Sequence, residues 1–323
     1  MIRWLLLRWL QAAVTLLLVA ILLFCLMRLA PGDPLSRVSG EQQLTPGALA
    51  RLREQYGLDQ PIGRQLAVWL AGVVRGDLGA SIEYGQPVTS LIAERLPASL
   101  LLGGTALLIN FTLGLWLGAM QAVRQGTPVD RWLTAASLAG YATPSFWLGL
   151  VLAGLVAVRW RLLPAGGMQN PLLPSDVGPW VRGLDIADHL VLPVATLVIV
   201  SIASTMRYQR RAMLEVLPLP YIVAARAKGL AEPVVIRRHA WRNALFPVLT
   251  LAGLWLPILA TGSVFVESVF AWPGLGSLAA GAVGTRDYPL LMGTALLVSS
   301  LIVLGGLLTD IAYGVLDPRI RWA

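Results

Sequence analysis

The sequence predicts an all-α membrane protein with six transmembrane helices and a small external subdomain after the first. Three observations predict it. Of 323 residues, 56% are hydrophobic and only 13% are charged, against about 25% charged in soluble domains. The apolar residues gather into runs close to the ~20 residues that a helix needs to cross a bilayer. The net charge of +8 sits between those runs, where cations orient a chain in the membrane rather than recruit nucleic acid.

In chain order, residues 1–30 form the first transmembrane helix, with an apolar run from Trp9 to Met27. The run is too long for the core of a signal peptide, so an uncleaved span with its N-terminus in the cytosol is expected, and Arg28 snorkels at the far end. Residues 31–96 turn polar, with Gly, Pro and charges of both signs, and make the external subdomain. There Leu44-Thr45-Pro46 opens a helix over residues 47–55, capped near Thr45 or Leu44. Ile62 to Arg75 sets Leu66, Trp69, Leu70 and Val73 on one face of a second helix. This subdomain reads either as a spacer or as a lip for an external protein.

Residues 97–316 hold the other five spans. Pro97 to Met120 is the second, and Asn110 lies in its middle. Trp132 to Val158 is the third, kinked at Thr143-Pro144-Ser145, where a hydroxyl can satisfy the carbonyls that proline frees. Leu190 to Met206, Phe246 to Val266, and Leu290 to Leu308, continuing toward Leu316, complete the set. Residues 317–323 are a short tail. An even number of spans puts both termini on one side. The inner segments then carry Arg3, Arg8, Arg124, Arg131, the cations between positions 207 and 242, Arg319 and Arg321. Only Asp130, Glu215, Glu232 and Asp317 oppose them. This asymmetry predicts cytoplasmic N- and C-termini in a multi-pass membrane protein.

The densest cationic stretch, residues 207–246, is the candidate functional segment. Ala224, Ala225, Arg226 and Lys228 belong to a short helix that Gly229 ends in a left-handed turn. Leu230 follows, and a second helix opens at Glu232-Pro233 and carries His239. Three readings compete. The arginines fix topology only; or a helix pair grips nucleic acid or a calmodulin-like partner, which the short distance to membrane spans disfavours; or the segment docks a soluble partner. On the last reading Ala225 and Gly229, four residues apart, are expected together on the docking surface.

Several chemistries lack their residues. A phosphate loop requires Gly-Lys followed by Ser or Thr, but Lys228, the only lysine, follows Ala227. The chain is therefore not its own ATPase, and neither a catalytic site nor a bound cofactor is expected on it. His189 and His239 are too far apart for a zinc-protease helix, and no Gly-x-Ser-x-Gly elbow occurs. Cys25 stands alone, so no intramolecular disulfide can form. Three residues in or near the spans are candidates for a transport pathway: Asn110, Glu267 and Asp310. Each has a plainer reading. Asn110 ties two helices by a hydrogen bond, and the two carboxylates are interfacial charges, paired or snorkelled.

The run Ala225-Arg226-Ala227-Lys228-Gly229-Leu230, followed by Arg238-His239-Ala240, Arg242-Asn243-Ala244 and Pro247, resembles the coupling loop of binding-protein-dependent ABC importer permeases. The likeness is strongest to the dipeptide, oligopeptide and nickel branch. The sequence departs from the pattern at Val223, where the family has glutamate, and at Ala231, where it has a serine that would cap the next helix. Three further patches resemble the same branch. One runs from Pro31-Gly32-Asp33-Pro34 through Tyr56-Gly57-Leu58-Asp59-Gln60-Pro61 to Gly76-Asp77-Leu78-Gly79 and Ser81. Another holds Gly262, Glu267, Phe270, Trp272-Pro273-Gly274-Leu275-Gly276 and Arg286-Asp287-Tyr288-Pro289, and the last is Leu316-Asp317-Pro318-Arg319-Ile320-Arg321.

The resemblance implies a type I ABC importer permease fold. It implies a homologous permease subunit as partner, two cytosolic ATPase subunits that hold ATP and Mg²⁺, and an external substrate-binding protein, all beside membrane lipid and without nucleic acid. The cargo would be a small solute, a peptide or nickel and its metallophores. The competing class is a secondary transporter or channel acting alone. Such proteins commonly show inverted repeats and charges near mid-membrane, and this sequence has no obvious repeat.

Overall fold

A computed structural model describes residues 2–29, 35, 45–174, 176–245 and 264–316. Its regular elements are helices, apart from one isolated antiparallel bridge between Ala80 and Pro87. In chain order they are α1 (Ile2–Leu29), α2 (Pro46–Gln55), α3 (Ile62–Val74), α4 (Val88–Val123) and α5 (Pro128–Ala142). Next come α6 (Ser145–Leu152) with its π-helical continuation Ala153–Arg159, α7 (Pro179–Val216) and α8 (Pro220–Ala227). Then α9 (Glu232–Val234), a π-helical turn (Val235–Trp241) and α10 (Arg242–Ala244) run on without a break. Finally come α11 (Val264–Val269), α12 (Leu275–Thr285) and α13 (Tyr288–Leu316).

The chain divides into two compact units, Met1–Ser99 with Pro273–Ala323, and Leu100–Trp272. In the first, α1 packs along α13. The expected helices of the polar subdomain form, and Thr45 caps α2 by accepting from the Ala48 amide, with Pro46 opening the first turn. Val88, Leu91 and Ile92 at the start of α4 bury against Leu275, Leu278 and Ala282 of α12 and Leu290 of α13. In the second unit, α5 and α6 pack on α7, and Leu192 of α7 meets Val266 and Phe270 around α11.

Among the described residues, four helices are long and apolar enough to cross a membrane: Leu6–Leu29 within α1, α4, α7 and Tyr288–Leu307 within α13. The expected third span differs from the kinked helix that the sequence suggested. Its halves, Pro128–Ala142 and Ser145–Arg159, meet at 100°. Pro144 forces Thr143 into an extended conformation (φ −85°, ψ 127°), so the helix stops there rather than bending. The anticipated hydroxyl bond does form, from Thr143 Oγ1 to the Ala139 carbonyl at 2.8 Å. Most of the expected fifth span, residues 246–263, and the tail 317–323 lie outside the described residues.

Two further boundaries move. The second span begins nine residues early, and Pro97 sits inside α4 rather than at its start. The loop expected before the fourth span is helical from Pro179 onward. With 38 residues at 1.5 Å each, α7 is about 57 Å long, nearly twice the ~30 Å of a bilayer's hydrocarbon core. Its last turns, Arg207 to Val216, therefore form one rod with the apolar part and reach the cationic segment directly.

Candidate functional site

The cationic segment folds as a short helix, a glycine turn and a second helical run. Pro220 opens α8, and Gly229 closes it at φ +77°. The Gly229 amide donates to the Arg226 carbonyl (2.9 Å), and the Leu230 amide reaches back to Ala225 (3.4 Å). This is the two-bond end that glycine favours. Pro233 lies in the first turn of the next run, whose N-cap, Ala231, makes no side-chain bond. The run widens to a π-helix between Val235 and Trp241, a local form frequent at functional sites.

One face of the segment is anchored. Ile222 and Ala225 of α8, with Val235, Ala240 and Ala244, bury in one cluster with Ala119 and Ala122 of α4 and Ala212 and Met213 of α7. The other face is open. Ala224, Arg226, Lys228, Gly229 and Glu232 are exposed. Around them Tyr221, Val223, Leu230 and Val234 leave 42%, 52%, 41% and 41% of their surface accessible. Exposed apolar side chains gathered beside charges mark an interaction surface more often than an idle loop. A Cβ at Gly229 would meet nothing within 4 Å.

Ala225 corrects the sequence reading. It does not share the open face with Gly229, because only 6% of it is exposed. The four-residue rule holds within a helix, and Gly229 lies beyond the C-cap, where the left-handed turn rotates it away. His239 is half-buried in the π-helical turn, and its carbonyl accepts from Asn243 Nδ2 at 2.7 Å. Arg226 forms a two-pronged bond to Glu232, Nε to Oε2 at 3.0 Å and Nη2 to Oε1 at 2.7 Å. The hydrogen bond from Arg226 holds the Glu232 carboxyl below the usual carboxylate range. The same bond raises Arg226 further above its ordinary value. The pair ties the two helices together in water, where it contributes about 0–1 kcal/mol.

The pathway candidates separate. Asn110 is buried in α4, and its Nδ2 donates to Thr205 Oγ1 of α7 at 3.1 Å, the helix tie anticipated for it. Glu267 is fully buried in α11, so it does not snorkel to solvent. Asp310 falls in α13, and its side chain lies outside the described residues.

Three features went unread in the sequence. Gly114 and Gly118 let α7 approach so closely that a Cβ would fall 2.8 Å from Thr205 Cγ2 and 2.5 Å from the Met206 carbonyl oxygen. Their Gly-x-x-x-Gly spacing was the available signal. Asp130, buried in the first turn of α5, receives Nε and Nη2 of Arg210 at 3.1 and 3.0 Å and fixes α5 to the lower half of α7. No spacing announced that pair. In the other unit, buried Asp287 accepts from Ser81 Oγ, from the Glu83 amide (3.1 Å) and from the Leu290 amide (3.2 Å). Two motif patches far apart in sequence thus meet at one carboxylate.

Comparison with known proteins agrees with this architecture. Residues 111–322 match a family described as the binding-protein-dependent transport system inner membrane component. Residues 1–103 match its N-terminal membrane component. The dipeptide transport system permease protein DppB of Escherichia coli K12 is 38% identical over 318 residues, covering 94% of each chain. The oligopeptide transport system permease protein AppB of Bacillus subtilis 168 is 37% identical over 316 residues, covering 98% of each. A putative peptide permease protein of Brucella suis biovar 1 is 38% identical, covering 99% of each.

Proposed function

The chain belongs to the family of binding-protein-dependent transport system inner membrane components, and we propose that residues 220–245 are the handle by which an ATPase drives it and that its cargo is a short peptide. As a member of that family it is a permease subunit of an ABC importer, a multi-pass inner-membrane protein without catalysis of its own. ATP hydrolysis belongs to separate subunits, and a substrate-binding protein is part of such a system.

One observation carries the coupling role: the segment is anchored on one face and bare on the other. A partner that grips Tyr221, Val223 and Leu230 pushes on Ile222 and Ala225 from the opposite side. These in turn bear on α4 and α7, two of the apolar spans. Closure of ATPase subunits around ATP and Mg²⁺ is thereby converted into movement of the spans. The coupling is as strong as the difference in contacts between the two states. In this scheme a second, homologous permease subunit completes the pore. The segment faces the cytosol together with both termini, and the subdomain of α2 and α3 faces outward, where the binding protein delivers its cargo. The arginine asymmetry supports that orientation. The names of the relatives support peptide over nickel or a metallophore.

Reconstitution of the chain with its tagged partner subunits tests both parts. ATPase subunits should co-purify, and dipeptide uptake into proteoliposomes should require ATP. Uptake by the chain without ATPase subunits would make it a transporter that works alone. In a Cys25→Ser background, a cysteine at Gln169 should react with an impermeant reagent from outside, and one at Gln125 or Glu232 should not. The reverse pattern inverts the orientation.

A further inference from the structure

A cavity of about 790 Å³ opens beside the cationic segment, within the second unit. Trp116, Met120, Val123 and Arg124 line one wall, and Ile236, Arg237 and Trp241 line the other. Its size lies in the range of small-molecule sites. On α4, Trp116 and Met120 stand four residues apart and share a face, and Arg124 follows just past the helix end, its amide donating to the Met120 carbonyl at 3.0 Å. Arg237 and Trp241 stand four apart in the π-helical turn. The two walls have the same polarity. Arg124 follows Val123, the last residue of the apolar span. Trp241 lies between Arg237 and the apolar run that starts at Phe246. In sequence, then, the tryptophan of each wall stands nearer an apolar run than its arginine does.

The charges there are unbalanced. Among the described residues, no carboxylate lines the cavity. Three other cations in this unit are paired with carboxylates, Arg210 with Asp130, Arg211 with Glu215 and Arg226 with Glu232. Among the described residues, neither Arg124 nor Arg237 has an ion pair. A cavity lined by two guanidinium groups without ion pairs and by indole, thioether and aliphatic side chains complements a molecule with an anionic head and an apolar tail. Tryptophan concentrates where the bilayer meets water, and basic pockets beside membrane helices take phosphate head groups.

We propose that this cavity is a binding site for one anionic phospholipid, with its phosphate on Arg124 and Arg237 and its acyl chains along Trp116, Met120 and Trp241. The occupant abuts the π-helical turn, so the lipid braces the second half of the coupling segment against α4. The site rests on the chain lying in a membrane and not on which cargo it carries.

The test is native mass spectrometry of the purified, assembled transporter after delipidation and titration with phosphatidylglycerol or phosphatidylcholine. The wild-type complex should retain one phosphatidylglycerol in preference to phosphatidylcholine. Each arginine near an anionic lipid is worth about 1 kcal/mol, so Arg124→Gln with Arg237→Gln should weaken that retention by about thirtyfold, two such terms at 1.4 kcal/mol per tenfold. Arg124→Lys with Arg237→Lys should keep most of it. Arg131→Gln, which removes an exposed cation outside the cavity, should leave it unchanged. Equal retention of the two lipids, or a glutamine double variant that binds like wild type, overturns the proposal. Displacement of the lipid by inorganic phosphate at equal concentration overturns it too, since the site would then read a bare anion. Loss of ATPase subunits from the glutamine variant with lipid retention intact assigns the arginines to a protein partner instead.

Discussion

Helices α8 and α12 end in the same backbone turn, one on glycine and the other on arginine. Helix α8 turns at Gly229 with φ +77°, and α12 turns at Arg286 with φ +57°. In both, the next amide reaches back five residues, from Leu230 to Ala225 at 3.4 Å and from Asp287 to Ala282 at 3.0 Å. A left-handed conformation costs a residue with a side chain about 1–2 kcal/mol. Arg286 bears that cost because its successor is locked: Asp287 is buried and accepts from Ser81, Glu83 and Leu290. After Gly229 comes Leu230, exposed and lightly held. Where tertiary contacts demand the turn, a strained residue is tolerated. Where they do not, glycine itself preserves it.

The comparison breaks first, and with the largest effect, at Asp287. Asp287→Ala leaves the Ser81 hydroxyl and two amides without their acceptor in a buried corner. An unsatisfied buried donor costs about 1–3 kcal/mol, so a loss on the order of 3 kcal/mol or more is expected. It should appear as a lower thermal midpoint of the purified complex and reduced abundance in membranes. Unchanged abundance and midpoint would mean that some other contact holds the Arg286 turn.

Within the coupling segment, Ala225 and Gly229 lie four residues apart and should respond in opposite ways. Ala225 is buried against Met213 and Ile222. Ala225→Arg therefore overpacks the cluster and buries a charge, at about 3 kcal/mol, and both assembly and abundance should fall. Gly229→Trp meets open space and costs only the turn's strain, about 1–2 kcal/mol. Abundance should stay within about twofold of wild type while ATP-dependent uptake drops at least tenfold, as the proposed coupling role requires. Normal uptake by Gly229→Trp would leave the open face without a partner.

The sequence made the turn legible and the burial illegible. Gly229 after Ala-Arg-Ala-Lys announces a helix end because glycine alone reaches positive φ without cost. Arg286 announces nothing, since no local rule predicts an arginine there. The anchoring face of α8 was misread for a related reason. Spacing says which residues share a face, but not which face meets α4 and α7, and the alanines on all sides gave no hydrophobic contrast. Hydropathy located the long spans and cannot see the 100° turn at Pro144, because a broken span and a straight one have the same composition. Pairings such as Ser81 with Asp287 and Asp130 with Arg210 depend on how distant segments meet, which local pattern does not encode.

The smallest expected effect is the most discriminating. Arg286 is exposed and takes a conformation that glycine adopts freely. Arg286→Gly should relieve about 1 kcal/mol of strain, partly offset by the greater freedom of glycine in the unfolded chain, about 0.4–1 kcal/mol. The net change should be a few tenths of a kcal/mol, toward greater stability. Gly229→Ala makes the reverse exchange and should destabilise by up to about 1 kcal/mol. Thermal midpoints of the two variants in the same detergent-purified complex should thus move in opposite directions from wild type, with uptake by Arg286→Gly unaltered. If both fall, the arginine side chain makes a stabilising contact of its own on that exposed face, and the turn after α12 is held by more than the carboxylate beside it.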